Sequence, residues 1–455
     1  MADSSGICIR GTPYAPGHVS GIVRRGLHLI KPDSLLILSH AEIATLVEMV
    51  HGAGSERAQH FDRIGVIVID GAPLSHVMIR LLGLGIPTVM LPAARLEVLK
   101  EGAALALDGG TGLIGDPLRV AGPPQGAGPS VPAPGAGIST RDGVAVRLSA
   151  SVAGRQGAAQ ALECGAASVG LVRSEYLLPA AGEVASADYF EAVFTELCEA
   201  ARPLAVTVRL ADIAAGKPGR YLTRDQATLG PRGSQLYAAG PVRRIFEVQV
   251  EALGRLGGRY DVSILLPNLF SAGSCRRWRD EINDRLNGAL RIGAMAETPA
   301  AALAIDELAD CADFTALGCN DLMQCFFGVD RDVAELSPWL DPCAPALWRL
   351  LREAAARAGA HLDEVQLCGL LPQAPGVLPL LVGSGFRAFS VEPRMIPALA
   401  ETVRGLDTES AAALVAAVCE ASGAAQVRDM LGLRGESAWA LARVDSRLQC
   451  SDEEQ

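Results

Sequence analysis

Aromatic residues are scarce in this chain, at 4% of 455 residues, and so is positive charge, with 40 Lys and Arg against 51 Asp and Glu. A net charge of −11 argues against nucleic acid or an anionic membrane as the main partner. No apolar run reaches the length of a membrane span. The 11 cysteines include no CxxC pair, and the N-terminus reads as no secretory segment. Both features argue against a disulfide framework or a zinc site, and place the protein in a reducing cytosol. What is present is a 49% hydrophobic, 20% charged composition, enough for a large packed core in two or three domains. Abundant Ala and Gly with few aromatics suit a helix-rich α/β protein.

The stretch Gly71-Ala72-Pro73-Leu74-Ser75-His76-Val77-Met78-Ile79-Arg80 follows a short β-branched run, Ile64–Ile69, that reads as a buried strand. After it, VMIRLLGLG has helical spacing and stops at glycine. Ser75 and His76 therefore fall at a helix N-terminus, where outward amides and the helix dipole favour a phosphate beside the imidazole. A lone histidine there is more often structural, so the rest of the chain must decide.

Residues 1–120 are expected to form one unit: a strand, turn and strand over 7–25, a strand at 34–38, a helix at 41–50 and the strand leading to His76. Residues 87–91, 104–108 and 112–114 are expected to close it as a β-meander, giving a compact βαβ-type sandwich. Residues 121–137, AGPPQGAGPSVPAPGAG, cannot bury enough apolar surface to fold and read as a linker. From 138 to 405, apolar runs at 144–148, 168–172, 204–209, 262–266, 290–295, 314–317, 365–368 and 387–391 alternate with helical stretches. Eight such runs suggest an α/β fold of the (β/α)8 TIM type, with an open doubly wound sheet as the alternative. Residues 406–455 read as a helical extension with a frayed acidic tail.

Polar residues gather at the C-terminal ends of these runs, where a barrel keeps its reactive groups. They are Arg173 and Glu175, Arg209 and Asp212, Glu297, Asn320 and Asp321, and Cys368. Arg173, Arg209 and Arg331, with Arg232 as a further candidate, would make a strongly positive pocket for carboxylate or phosphate. Glu297 and Asp321 are two hard oxygen donors suited to a Mg²⁺ that keeps waters and bridges to a substrate phosphate. The competing reading of these charges is a salt-bridged barrel rim.

These motifs resemble the phosphoenolpyruvate-utilising enzyme family, and most closely enzyme I of the bacterial phosphotransferase system. GAPLSHVMIRLLGLGIPTV is similar to its phosphohistidine motif, with His76 at the phosphorylated position. SVGLVRSEYLL carries Arg173, and VTVRLADIAAGK carries Arg209, Asp212 and Lys217. IGAMAETPAAAL carries Glu297, DFTALGCNDLMQCFFGVDRD carries Asn320, Asp321 and Arg331, and LCGLLPQ carries Cys368. The similarity runs over residues 7–400 in family order. It implies an N-terminal swivelling phosphohistidine domain and a C-terminal (β/α)8 barrel that binds phosphoenolpyruvate. It further implies Mg²⁺ on Glu297 and Asp321, substrate contacts from Arg173, Arg209, Lys217, Arg232, Asn320 and Arg331, and a proton-donating Cys368.

The implied activity is Mg²⁺-assisted phosphorylation of His76 by phosphoenolpyruvate, with pyruvate released, in a homodimer formed through the barrel. Five departures from the family pattern stand out. The helical insertion that docks the carrier HPr is absent between Val23 and Leu27, and no nucleotide-binding domain is apparent. Gly369-Leu370 replaces Gly-Glu, and IAAGK and LGPRG replace IGGDK and LGWRA. The acceptor is accordingly expected to be a divergent carrier or a small molecule rather than standard HPr. Two alternatives are a silent phosphoenolpyruvate sensor and a dikinase-like enzyme whose nucleotide domain is supplied in trans.

Overall fold

The computed structural model describes residues 8–52, 61, 63–120, 129–179, 185–213 and 231–433. Lys217, residues 121–128 of the expected linker and the acidic tail lie outside them.

The N-terminal part is one eight-stranded mixed sheet, made of β1 (Cys8–Arg10), β2 (Thr12–Ala15), β3 (His18–Arg25), β4 (Ser34–Ser39), β5 (Ile64–Ile69), β6 (Thr88–Leu91), β7 (Ala104–Asp108) and β8 (Leu113–Gly115). The order is β1-β8-β7-β3-β4-β5-β6-β2. The expected single strand before the first turn is split, because Gly11 separates β1 on one end of the order from β2 on the other. A Cβ at Gly11 would meet the Met90 carbonyl at 2.5 Å, so only glycine lets the two ends come together there. The expected closing meander is also corrected. β7 and β8 form an antiparallel pair, but β6 lies parallel to β5 on the far side of the sheet. The segment is long enough to cross over because a helix, His76–Leu84, fills it. Only residues 26–33, with a single 3₁₀ turn at Leu27–Leu29, lie between β3 and β4, so no helical domain is inserted there.

The helix His76–Leu84 starts and ends as its sequence demands. The Ser75 hydroxyl accepts from the Met78 amide at 3.2 Å, a cap worth roughly 1 kcal/mol. Gly85 takes the left-handed conformation at φ 68° and stops the helix. Met78, Ile79, Leu81 and Leu82 are buried and hold it on the sheet, which leaves His76 at its open end.

All eight expected barrel runs are strands: β10 (Ala145–Val152), β11 (Val169–Arg173), β12 (Val206–Arg209), β13 (Val262–Leu269), β14 (Arg291–Ala296), β15 (Thr315–Gly318), β16 (Val365–Cys368) and β17 (Ala388–Val391). Each is parallel to its neighbours, and β10 pairs with both β17 and β11, so the sheet closes into a barrel. Leu171, Leu265, Met295, Ala316 and Cys368 fill its interior. A short β9 (Ile138–Ser139) pairs antiparallel with β10 before the barrel begins.

The described half of the expected linker is not free. The Gly135 amide donates to the Ala166 carbonyl at 2.9 Å, so residues 129–137 lie along the barrel. The C-terminal helix Thr408–Glu420 is likewise docked: Gly383 lies so close to it that a Cβ there would meet the Ala411 carbonyl at 2.3 Å. Among the described residues no helix is long and apolar enough to cross a membrane.

Candidate active site

The C-terminal strand ends of the barrel and the start of the helix His76–Leu84 line one cleft. His76, Arg173, Arg209, Glu297, Asn320, Asp321, Arg331 and Cys368 all line it, together with Glu175 and Tyr176. Arg232 reaches it through Asp321, whose Oδ1 accepts from its guanidinium at 2.6 Å. Residues named far apart in the sequence therefore do converge, and the imidazole faces the barrel mouth with its side chain 20% exposed.

The electrostatics correct one expectation. The pocket is not strongly positive, because its arginines are tied to buried carboxylates. Arg209, 5% exposed, pairs with Glu175, with Glu297 at 3.3 Å and with Asp212 at 3.5 Å. Burial works against its charge, but Glu175, Asp212 and Glu297 outweigh that and hold its pKa above the ordinary value. Arg331 pairs with Asp321 at 3.0 Å. Burying that many guanidinium groups without partners would be prohibitive, so each brings its counter-charge with it. Arg173 is the exception: among the described residues it makes no ion pair, which leaves its fork available to an anion entering the cleft.

Asp332 and Arg331 hold the His76 ring at its two nitrogens. Asp332 accepts from the His76 backbone amide at 2.8 Å and from Nδ1 at 2.9 Å. On the other side, an Arg331 guanidinium nitrogen lies 2.7 Å from Nε2. The same guanidinium donates to the Leu74 carbonyl at 3.2 Å, so it grips the turn that carries the histidine. The far end of this helix is held too, since Arg394 donates to the Gly85 carbonyl. An anion at the first turn and a cation at the last both complement the helix dipole, each worth about 0.3–1 kcal/mol.

Cys368 ends β16 with 1% of its surface exposed, and Gln366 Nε2 lies 3.4 Å from its sulfur. Burial pushes the thiol from 9.0 up to about 11, against smaller lowering effects of Gln366, Arg173 and Arg209. It is therefore a thiol, with its proton, at neutral pH. Gly369 (φ 111°) follows it, and a Cβ there would meet Asn320 Oδ1 at 2.6 Å. That oxygen instead accepts from the Leu370 amide at 3.0 Å, which locks Asn320 into the rim. Leu370 itself is buried, at 2% exposure, so the position where the family has a charge here serves packing.

Glu297 and Asp321 can be tested as metal ligands on geometry. Glu297 lies directly over Gly318, whose missing Cβ would sit 2.7 Å from its Oε1, and the Asn268 amide orients Oε2 at 2.8 Å. Both carboxylates thus reach the same cleft from adjacent strand ends. Among the described residues no third His, Cys, Asp or Glu completes a cage. The pair fits an ion that takes most of its shell from water and substrate oxygens, as Mg²⁺ does.

Sequence reasoning missed Asp332 and Gln366 as parts of the site. Asp332 stands in the quoted VDRD segment, but nothing local marks it, since its partner is 256 positions away. Glu392, after β17, is a further buried carboxyl that burial raises to about 7.

The family described as PEP-utilising enzyme, PEP-binding domain, matches residues 134–408. Among curated proteins, a phosphoenolpyruvate-protein phosphotransferase of Haloferax volcanii is 28% identical over 81% of this chain and 68% of its own. One of Streptomyces coelicolor is 29% identical over 80% of this chain and 67% of its own. A multiphosphoryl transfer protein of Xanthomonas campestris is 30% identical over 80% of this chain but 46% of its own. The chain thus spans between about half and two thirds of the length of these relatives.

Proposed function

Because the chain belongs to the phosphoenolpyruvate-utilising enzymes, on their enzyme I-like phosphotransferase branch, we propose that it phosphorylates its own His76 from phosphoenolpyruvate. It then passes the phosphoryl group to an acceptor other than standard HPr. The observation that carries this reading is the imidazole: Nε2 faces the barrel cleft, among Arg331, Arg173 and the Glu297–Asp321 pair.

The donor is an enol phosphate with a carboxylate, and it needs paired hydrogen-bond donors at both ends. Arg173 has its fork available for one end, while Arg331, Arg209, Asn320 and Arg232 set the positions of the groups around the donor. Glu297 and Asp321 would hold Mg²⁺, which when bound offsets charge on the phosphate oxygens. Nε2 attacks phosphorus, the P–O bond to the enol breaks, and the electron pair leaves with the enolate oxygen. The enolate carbon then takes the proton of the Cys368 thiol, giving pyruvate. Lys217 is assigned to the substrate by its place in the motif.

Phosphoryl transfer of this kind rests on positioning and electrostatics, which the cleft provides by holding nucleophile and donor subsite together. The acceptor reading rests on the short connection between β3 and β4, where enzyme I carries its carrier-docking insertion. The protein is read as cytoplasmic and as a homodimer through the barrel.

Incubation with phosphoenolpyruvate and Mg²⁺ is expected to add one acid-labile phosphoryl group by intact mass, and none in His76→Ala. Ligand binding without that gain would favour the sensor, and labelling that requires ATP and a second protein would favour a dikinase.

A further inference from the structure

The hydrogen bonds to His76 determine which ring nitrogen carries the proton. A carboxylate only accepts and a guanidinium only donates. Asp332 lies 2.9 Å from Nδ1 and Arg331 lies 2.7 Å from Nε2. Nδ1 must therefore hold the proton, and the Nε2 lone pair must face the barrel. Asp332 also accepts the backbone amide of His76, an orphan donor of the helix start, so ring and main chain are gripped by one carboxylate. That carboxylate is kept ionised. Burial would raise its pKa, but the hydrogen bonds from His76 and the neighbouring Arg331 charge hold it well below the usual range.

We propose that Asp332 is a positioning residue for the nucleophile: it selects the Nδ1–H tautomer of His76 and offsets the positive charge the ring acquires when Nε2 takes a phosphoryl group. The inference rests on the phosphotransferase reading above. In the step itself, the Nε2 lone pair forms the N–P bond and the enolate oxygen leaves with the P–O electron pair. The Nδ1 proton stays in place, so the ring becomes a phosphoimidazolium. Its charge develops directly against the Asp332 carboxylate, 2.9 Å from Nδ1, and an anion there stabilises the transition state more than the ground state. The same logic governs a carboxylate behind a catalytic histidine in other folds, where replacing Asp by Asn inverts the tautomer and costs several orders of magnitude.

Asp332 is half-exposed, at 46% of its side chain, so substitutions there are compatible with folding. The Asn side chain can still occupy the space, but its amide donates toward Nδ1 and so favours the proton on Nε2, where it opposes Arg331. The test uses full-length protein with ¹⁵N-labelled histidine, the His76 ring signals being identified by their loss in His76→Gln. Wild type is expected to show a protonated Nδ1 and an unprotonated Nε2. In Asp332→Asn the Nε2–H form should appear, and phosphoryl uptake from phosphoenolpyruvate should slow by roughly 10²–10⁴-fold. Asp332→Glu should restore part of the rate with the wild-type tautomer.

An unchanged tautomer together with uptake within about threefold of wild type, in both Asp332→Asn and Asp332→Ala, would overturn the assignment. Wild type that takes up no phosphoryl group would instead remove the phosphotransferase reading. The nitrogen spectra would still decide the role of Asp332, because they need no donor.

Discussion

Replacing Cys368 with Ala separates the two halves of the proposed reaction. The thiol is raised from 9.0 to about 11, which disfavours the thiolate by about 3 kcal/mol relative to an exposed cysteine. At pH 8 only about one molecule in a thousand carries the thiolate. The consequence is directional. Toward pyruvate, the enolate needs a protonated thiol, and that form dominates across the whole working range. In the reverse sense, removal of a proton from the pyruvate methyl needs the thiolate, so its rate should climb about tenfold per pH unit from pH 7 toward 10. Exchange of methyl protons for deuterium, followed by NMR with pyruvate and Mg²⁺ in D₂O, measures that step alone. Cys368→Ala is expected to cut exchange by at least about 10²-fold, while phosphoryl uptake by His76 stays within a few-fold, because Nε2 attack does not involve the sulfur. Exchange that is flat between pH 7 and 10, or that survives in the alanine variant, would refute the reasoning and return Cys368 to the role of a buried small hydrophobe.

Two other perturbations test the charges around the cleft. Glu297→Gln keeps the bond from the Asn268 amide but weakens one hard ligand, so phosphoryl uptake should fall by about 10² or more with the melting temperature nearly unchanged; unaltered uptake would make Glu297 a rim charge. Glu392 is buried, and burial raises its carboxyl from 4.5 to about 7. Between those values the folded state binds more protons than the unfolded one, so stability should decline as pH rises through that window. The loss approaches about 3 kcal/mol above pH 7, and Glu392→Gln should remove the slope in urea unfolding followed from pH 4.5 to 8. Equal slopes in the two proteins would show that the carboxyl ionises without penalty.

Much of this protein was legible in one dimension, because the signals were local. The runs at 365–368 and 314–317 became strands near those limits because β-branched and apolar residues bounded by polar ones have few other ways to bury themselves. Ser75 and Gly85 marked the helix that carries His76, since capping depends on neighbours three residues away. The cleft residues were readable for the same reason: a barrel places every strand's C-terminal end on one face, so a list of strand ends is already a list of neighbours.

What tertiary structure alone decided depends on groups that meet across long stretches of chain. Charge is the clearest case. Arg209, Arg232 and Arg331 read as a positive pocket, and only the folded arrangement shows Glu175, Asp212, Glu297 and Asp321 neutralising them. The far position of β6, the contact of residues 129–137 with the barrel and the grip of Asp332 on His76 are of the same kind. Sequence set the chemical inventory and the local periods, because those follow from side chains and backbone within a few residues. The proton on Nδ1 and the lone pair on Nε2 came only from folding, which brings a carboxylate and a guanidinium to opposite edges of one ring.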